Sequence, residues 1–167
     1  MHLNVPKRLM TLLNERGYTN SKIVVKSAIQ LISEYPQESH DILTRASNHH
    51  DCETRRELAS SLQRIFSDDP ELALRLMEGL LQDEDSDTRV LATTFLSSLV
   101  RYDISTFTVK ASEVLQIGDE RMTQRIIESA MREYLSINPM DEYSLLPYAW
   151  RSSSQSSKSR LVGLVMQ

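Results

Sequence analysis

Apolar residues in this chain recur at intervals of three and four, and no segment of useful length alternates with period two. The first pattern gives a helix one buried face, and the second would mark a strand. The spacing therefore predicts helices alone. Leu9, Met10, Leu12 and Leu13 make the stripe of a first helix, bounded by Pro6, which a first turn tolerates, and by Gly17 as a stop. Val24, Val25, Ala28, Leu31 and Ile32 make a second, capped by Asn20 or Ser21 and ended by Pro36. A short third helix carries Ile42, Leu43 and Ala46 and breaks at "SNHH". Asp51 caps a fourth, with Leu58, Ala59, Leu62, Ile65 and Phe66 inward. "SDDPE" (67–71) is the clearest start signal: Asp69 caps, Pro70 is the first helical residue, and Glu71 meets the positive end of the helix dipole.

Leu72, Leu76, Met77 and Leu80 line that fifth helix. After the turn "QDEDSD" (82–87), a sixth carries Leu91, Ala92, Phe95, Leu96, Leu99 and Val100. Ser105 opens a seventh with Phe107, Ala111, Val114 and Leu115, stopped by Gly118. The eighth carries Ile126, Ile127, Ala130, Met131, Tyr134 and Leu135. "MDEYSLLPYAW" (140–150) reads as helix until Pro147, which removes a backbone donor. Residues 151–159 are mostly serine and read as a loop, and a last helix begins at "RLVGLVMQ" (160–167).

The even-numbered helices repeat one another. "TRRELASSLQRIF" (54–66) overlays "DTRVLATTFLSSL" (87–99) with a shift of 33, which sets Arg56 on Arg89, Leu58 on Leu91, Leu62 on Phe95 and Phe66 on Leu99. The second helix reaches the fourth with a shift of 34, and the sixth reaches the eighth with 35. A period of this length is the signature of stacked helical units. The expected fold is all-α: a short right-handed α-solenoid of about five antiparallel helix pairs. One domain, 1–167, would hold units near 6–35, 37–66, 69–101 and 104–136 and a degenerate unit at 139–167. Ala59, Leu62, Phe66, Leu91, Phe95 and Leu99 are its expected core.

"DCETRRELASSL" and "DSDTRVLATTFL" resemble the second helix of a HEAT repeat, of the armadillo-like α-solenoid family, in their Asp, then Arg, then apolar-Ala run. The resemblance covers about residues 6–135. It departs from the pattern at Asn20, where the family has Asp, and at "GDERMTQR", which puts extra residues before the arginine. Tetratricopeptide repeats share the period but want Trp, Leu-Gly and Tyr, which the first helices lack. The HEAT resemblance implies a surface for binding rather than a catalytic fold. It also implies that the arginine bonds an acid in the preceding turn and so ties one unit to the next.

Composition narrows this reading. Net charge is −4, from 23 acids and 19 bases, so bulk charge gives no reason to expect nucleic acid or an anionic membrane. Cys52 is the lone cysteine, which excludes an internal disulfide and suits a reducing, cytoplasmic setting. The N-terminus lacks the apolar run of a signal peptide, and no segment approaches the roughly 18 apolar residues of a membrane span.

Three constellations could carry chemistry. Lys22, Arg56, Arg89, Arg125 and Arg160 open successive second helices and would stack into a basic register. Such a register is either a structural ladder, answered by Asp51, Asp85, Asp87 and Asp119, or a grip for phosphates. Acids crowd residues 67–87, where Asp68, Asp69, Asp83, Glu84, Asp85 and Asp87 form an acidic rim that could meet a basic partner. A calcium loop counted from Asp83 fails, because its twelfth residue is Thr94 rather than a glutamate. His40, His49, His50 and Cys52 are zinc-type ligands, but adjacent histidines point apart and no paired-ligand spacing exists, so no metal is expected. A Cys52–His nucleophile lacks an orienting third group. Without a Gly-rich phosphate loop, a metalloprotease helix or a Ser/His/Asp arrangement, neither enzyme activity nor a cofactor is expected. The expected function is a non-enzymatic protein-binding scaffold or docking domain. Two alternatives stay open: a nucleic-acid-binding module using the basic register, and a small acidic inhibitor or immunity-type protein.

Overall fold

The structure is a computed structural model that describes residues 4–14, 18–141 and 144–166. Among these residues there are eleven helices and no strand. They are α1 (Val5–Asn14), α2 (Tyr18–Gln30), α3 (Pro36–Ser47), α4 (Cys52–Asp68), α5 (Pro70–Leu80), α6 (Ser86–Tyr102), α7 (Ile104–Ile117), α8 (Glu120–Ser129), α9 (Met131–Ile137), α10 (Leu145–Ser152) and α11 (Gln155–Val165). Gly17, expected as a helix stop, lies outside the described residues, as do Glu142, Tyr143 and Gln167 of the last two expected helices. No described helix is long and apolar enough to cross a membrane.

The helix starts follow from capping chemistry. The first backbone N–H groups of a helix have no partner within it, and an aspartate just outside can accept from them. Asp51 accepts from the N–H groups of Glu53 and Thr54, Asp69 from Leu72, Asp85 from Thr88, Asp103 from Thr106, and Asp119 from Arg121 and Met122. In three of these the third helical residue is threonine, and its hydroxyl also donates to the cap: Thr54 to Asp51, Thr88 to Asp85, Thr106 to Asp103. Gly118 ends α7 with φ at 74°, a backbone angle that costs glycine nothing.

These caps replace the expected shifts of 33 and 35 with a single value. A shift of 34 carries Asp51 onto Asp85 and Asp85 onto Asp119, and the same shift carries Asp69 onto Asp103. Under it, Leu58 falls on Ala92, Ala59 on Thr93, Leu62 on Leu96, Ile65 on Leu99 and Phe66 on Val100, and every member is buried. The shift of 33 matched Leu58 to Leu91 instead, and Leu91 is only half-buried. The other five expected core residues, Ala59, Leu62, Phe66, Phe95 and Leu99, are buried.

The chain groups into two compact units, Met1–Ala92 and Thr93–Gln167. In the first, α1 packs on α2 and α3, α2 on α3 and α4, α3 on α4 and α5, and α4 on α5. Its core includes Leu13, Val24, Val25, Ile42, Leu43, Leu58, Leu62, Leu72 and Met77, all essentially without solvent contact. In the second, α7 packs on α8 and α10, α8 on α9, α10 and α11, and α9 on α11. Tyr134 is its hub. The ring is fully buried 5.7 Å from that of Phe107, and the hydroxyl donates to Asp141 at 2.7 Å and accepts from the Asn138 amide at 3.1 Å. Asp141 in turn accepts from the N–H groups of Leu145 and Leu146 and so caps α10 from a distance along the chain.

Several boundaries differ from the expected ones. Helix α2 begins at Tyr18, so Asn20 and Ser21 lie within it, and Ser21 is buried rather than a cap. Asp103, not Ser105, opens α7, because its carboxylate reaches Thr106. The expected eighth helix is two, α8 and α9, divided at Ala130, where φ reaches −118°. Pro147 does not break α10. It is the third helical residue, where the N–H it lacks would have no intrahelical acceptor. The serine-rich stretch is helical except at Ser153 and Ser154. Ser154 is the N-cap of α11, Ser152 donates to the Leu115 carbonyl, and Ser157 is buried, so these serines act as short polar caps and ties.

The uniform shift of 34 makes a prediction about cores. Leu62→Ala and Leu96→Ala should each cost about 2–5 kcal/mol, because a buried leucine leaves a cavity. Leu91→Ala, at a half-exposed position, should cost less than half as much. Thermal melts of the three variants check the ranking, and equal losses at Leu91 and Leu96 would return the register to 33.

Candidate functional site

A charged network joins the first turn of α4 to the turn between α5 and α6. Arg55, the fourth residue of α4, is 6% exposed. Its Nε donates to Asp83 Oδ2 at 2.7 Å and its Nη2 to Asp83 Oδ1 at 3.0 Å, a bidentate pair. Nη2 also reaches Glu84 at 3.2 Å, and Nη1 donates to the carbonyls of His49 at 2.6 Å and His50 at 3.3 Å. The Asp83 side chain is as deeply buried as that of Arg55. A buried guanidinium persists only if its donors are satisfied, and here carboxylates and carbonyls satisfy them. The hydrogen bonds to Asp83 outweigh burial and raise the pKa of Arg55.

Arg56 makes the second rung. Its Nε and Nη2 grip both oxygens of Asp85 at 2.8 and 2.7 Å, and it also pairs with Glu53 and Asp87. Asp85 is already the cap of α6, so one carboxylate serves a helix end and a cation from another helix. The Arg56 guanidinium, aided by the N–H and hydroxyl of Thr88, holds the Asp85 carboxyl well below the usual carboxylate range. Burial works against the charged forms of Asp51 and Asp69, but hydrogen bonds prevail and lower both: Thr54 and the N–H of Glu53 at Asp51, the N–H of Leu72 and His40 at Asp69.

The five expected bases do not share one structural position. Arg89 donates to the carbonyls of Asp83 and Glu84 in the turn before it, as Arg55 does to those of His49 and His50. Arg55, not Arg56, is therefore the counterpart of Arg89 under the shift of 34. The next residue in that series is Thr123, which is buried with a hydroxyl that has no partner among the described residues. Lys22 is the counterpart of Arg56 and lies 3.7 Å from Glu57, which Lys26 also approaches. Arg160 pairs with Glu128, and Arg125 has no side-chain partner among the described residues.

The acidic rim divides in the same way. Asp69, Asp83 and Asp85 are held by helix ends, by His40 or by arginines. Asp87 is paired with Arg56, while Glu84 is 87% exposed on its side chain and Asp68 faces solvent. The histidines are not gathered into a metal site, and no group of three or more ligand-type side chains among the described residues could hold an ion. His40 Nε2 lies 2.7 Å from Asp69 Oδ2. His49 accepts the Asp51 N–H at Nδ1 and places Nε2 3.0 Å from the Leu13 carbonyl. Cys52 is half-buried in the first turn of α4.

Arg55 and Asp83 are the functional-looking pair that apolar alignment misses. The signal was present in the caps: D-x-x-T at 51–54 and at 85–88 sets Arg55 and Arg89 immediately after each threonine.

The network makes two predictions. Arg55→Met should destabilise the protein by about 3–5 kcal/mol, because it leaves Asp83 buried without its cation. A double-mutant cycle with Asp83→Leu should recover a large part of that loss, and additive losses would deny the coupling. Asp85 ionises at lower pH in the folded chain than at about 3.9 in the unfolded one. Its stabilisation is therefore complete above about pH 4 and declines as pH falls below that, since the unfolded chain takes up the proton first. Asp85→Asn should flatten the fall in melting temperature between about pH 4 and about pH 2, and an unchanged acid limb would dismiss the linkage.

No family model, no curated protein and no solved structure matches this chain.

Proposed function

We propose that the chain is a HEAT-like helical-repeat scaffold that binds a protein partner and performs no chemistry of its own. The observation that carries this reading is the recurrence of capped helices at a shift of 34. It is joined in the first unit by packing of alternate helices on one another, α1 on α3 on α5, and α2 on α4. That is the neighbour relation of stacked helix pairs, in which each unit buries its face on the next. Extended along the chain, it would give a right-handed solenoid of about five pairs. Arg55, gripping Asp83 one unit on, would be the arginine that the family uses to tie units.

The electrostatics favour a protein partner over nucleic acid. Arg56 and Arg160 are paired with acids, and Lys22 lies near one, so the charge that a phosphate stripe would need is largely answered within the fold. The acids at 67–87 are also largely held by caps and arginines, which weakens an acidic inhibitor surface. An exposed apolar groove formed by α10 and α11 supports a protein-binding role instead. With Cys52 as the lone thiol, a cytoplasmic setting accords with the reading.

The test is capture from extracts of the source cells, followed by reconstitution from purified components. A stoichiometric complex with one protein and a Kd of about 1 μM or tighter is expected, with duplex DNA bound far more weakly at physiological salt. Micromolar duplex binding that weakens steeply with salt, and no reconstituted protein complex, would replace this reading with the nucleic-acid one.

A further inference from the structure

The helices α10 and α11 line a groove of about 420 Å³. Leu146, Pro147 and Trp150 form one wall, and Val162, Val165 and Met166 the other. Trp150 is 46% exposed, Val165 59% and Met166 82%, although each is a side chain that gains by leaving water. A patch of this composition marks an interaction site more often than a bare surface.

Charge decides what fills it. Residues 145–166 contain three bases, Arg151, Lys158 and Arg160, and no acid, in a chain whose net charge is −4. Arg160 is answered by Glu128. Arg151 lines the groove and Lys158 holds its ammonium 5.5 Å from the centre of the Trp150 ring, and neither has an acidic partner among the described residues. The groove is thus apolar at its floor and positive at its edge. We propose that it docks an amphipathic helix of a protein partner, seating leucine-like side chains along Trp150 and Val165 and acidic side chains against Arg151 and Lys158. An apolar stripe at i, i+3, i+4 and i+7 fits a groove between two helices, and acids beside it provide the complementary field. A second copy of this chain, seated groove to groove about a two-fold axis, would set these bases against themselves. Two cations without an acidic partner among the described residues are fewer than the four to eight that characterise recognition of an anionic membrane.

The assignment rests on the protein-scaffold reading, and its test separates the two. Trp150 is the only tryptophan, so its emission reports on the groove alone. A synthetic helix of about four turns, with leucines at the spacing above and glutamates flanking them, should shift that emission to shorter wavelength. The same peptide with lysines for glutamates should bind at least about tenfold more weakly, and Arg151→Glu with Lys158→Glu should invert that preference. Val165→Asp, at an exposed position that leaves folding intact by circular dichroism, should cost about tenfold or more in affinity. Lack of response to the glutamate peptide overturns the proposal. So does equal binding of both peptides, a stronger Trp150 response to phosphatidylserine vesicles, or a dimer by sedimentation that buries Trp150. If the peptide fails while a reconstituted protein complex forms and tolerates Val165→Asp, the groove assignment falls and the scaffold reading stands. If neither forms, both fall.

Discussion

Five consecutive helices of this chain, α4 to α8, each open on an aspartate whose carboxylate takes up backbone N–H groups that the helix cannot use. From Asp51 through Asp69, Asp85 and Asp103 to Asp119, long and short spacings alternate on a fixed beat. A cap determines where the first turn begins, and the first turn determines which side chains face inward further along. Leu62 and Leu96 are both buried because Asp51 and Asp85 start their helices at the same remove from each leucine. The register of the core is therefore set by polar groups at the edges of helices.

The same carboxylates carry much of the charge balance. Asp85 caps α6 and receives Arg56 from α4, so loss of either interaction weakens the other. Asp83 is spent on a buried arginine whose remaining donors meet Glu84 and the carbonyls of the preceding turn. A buried ion pair is poor evidence of stability, because two hydrophobic residues could fill the space as well or better. It is better evidence of specificity. Arg55 tolerates few other placements of Asp83, so the turn between α5 and α6 is held in one position relative to α4.

Much of the all-helical fold was legible in the sequence, and the failures have physical causes. Apolar periodicity placed the helices but left their phase uncertain by one residue, because Leu91 and Ala92 are both apolar and only Ala92 is fully buried. The aspartate–threonine caps would have settled the phase, since a hydrogen bond tolerates no shift by one. The expectations at Pro147 and at the serines of 152–157 failed for a related reason. Both residue types disrupt a helix interior and both are well accommodated at its start, so composition without position gave the wrong answer. The groove was hidden because Trp150 and Val165 are well separated in sequence, on helices whose relation only the fold reveals. Arg55 lay in plain sight beside Arg56, and only its burial, not its type, distinguishes it.

The alternating beat of the caps also bears on how such a chain can change its length. One residue added inside α4 would turn every later position of that helix by about 100° and bring Ile65 and Phe66 toward water. A residue added between Ser152 and Gln155 would fall outside the helices and leave their faces as they are. Growth of the protein by small insertions is thus confined to a few connecting residues. An insertion of 34 residues meets no such obstacle at the caps, because 34 is the spacing that already separates Asp51 from Asp85 and Asp85 from Asp119.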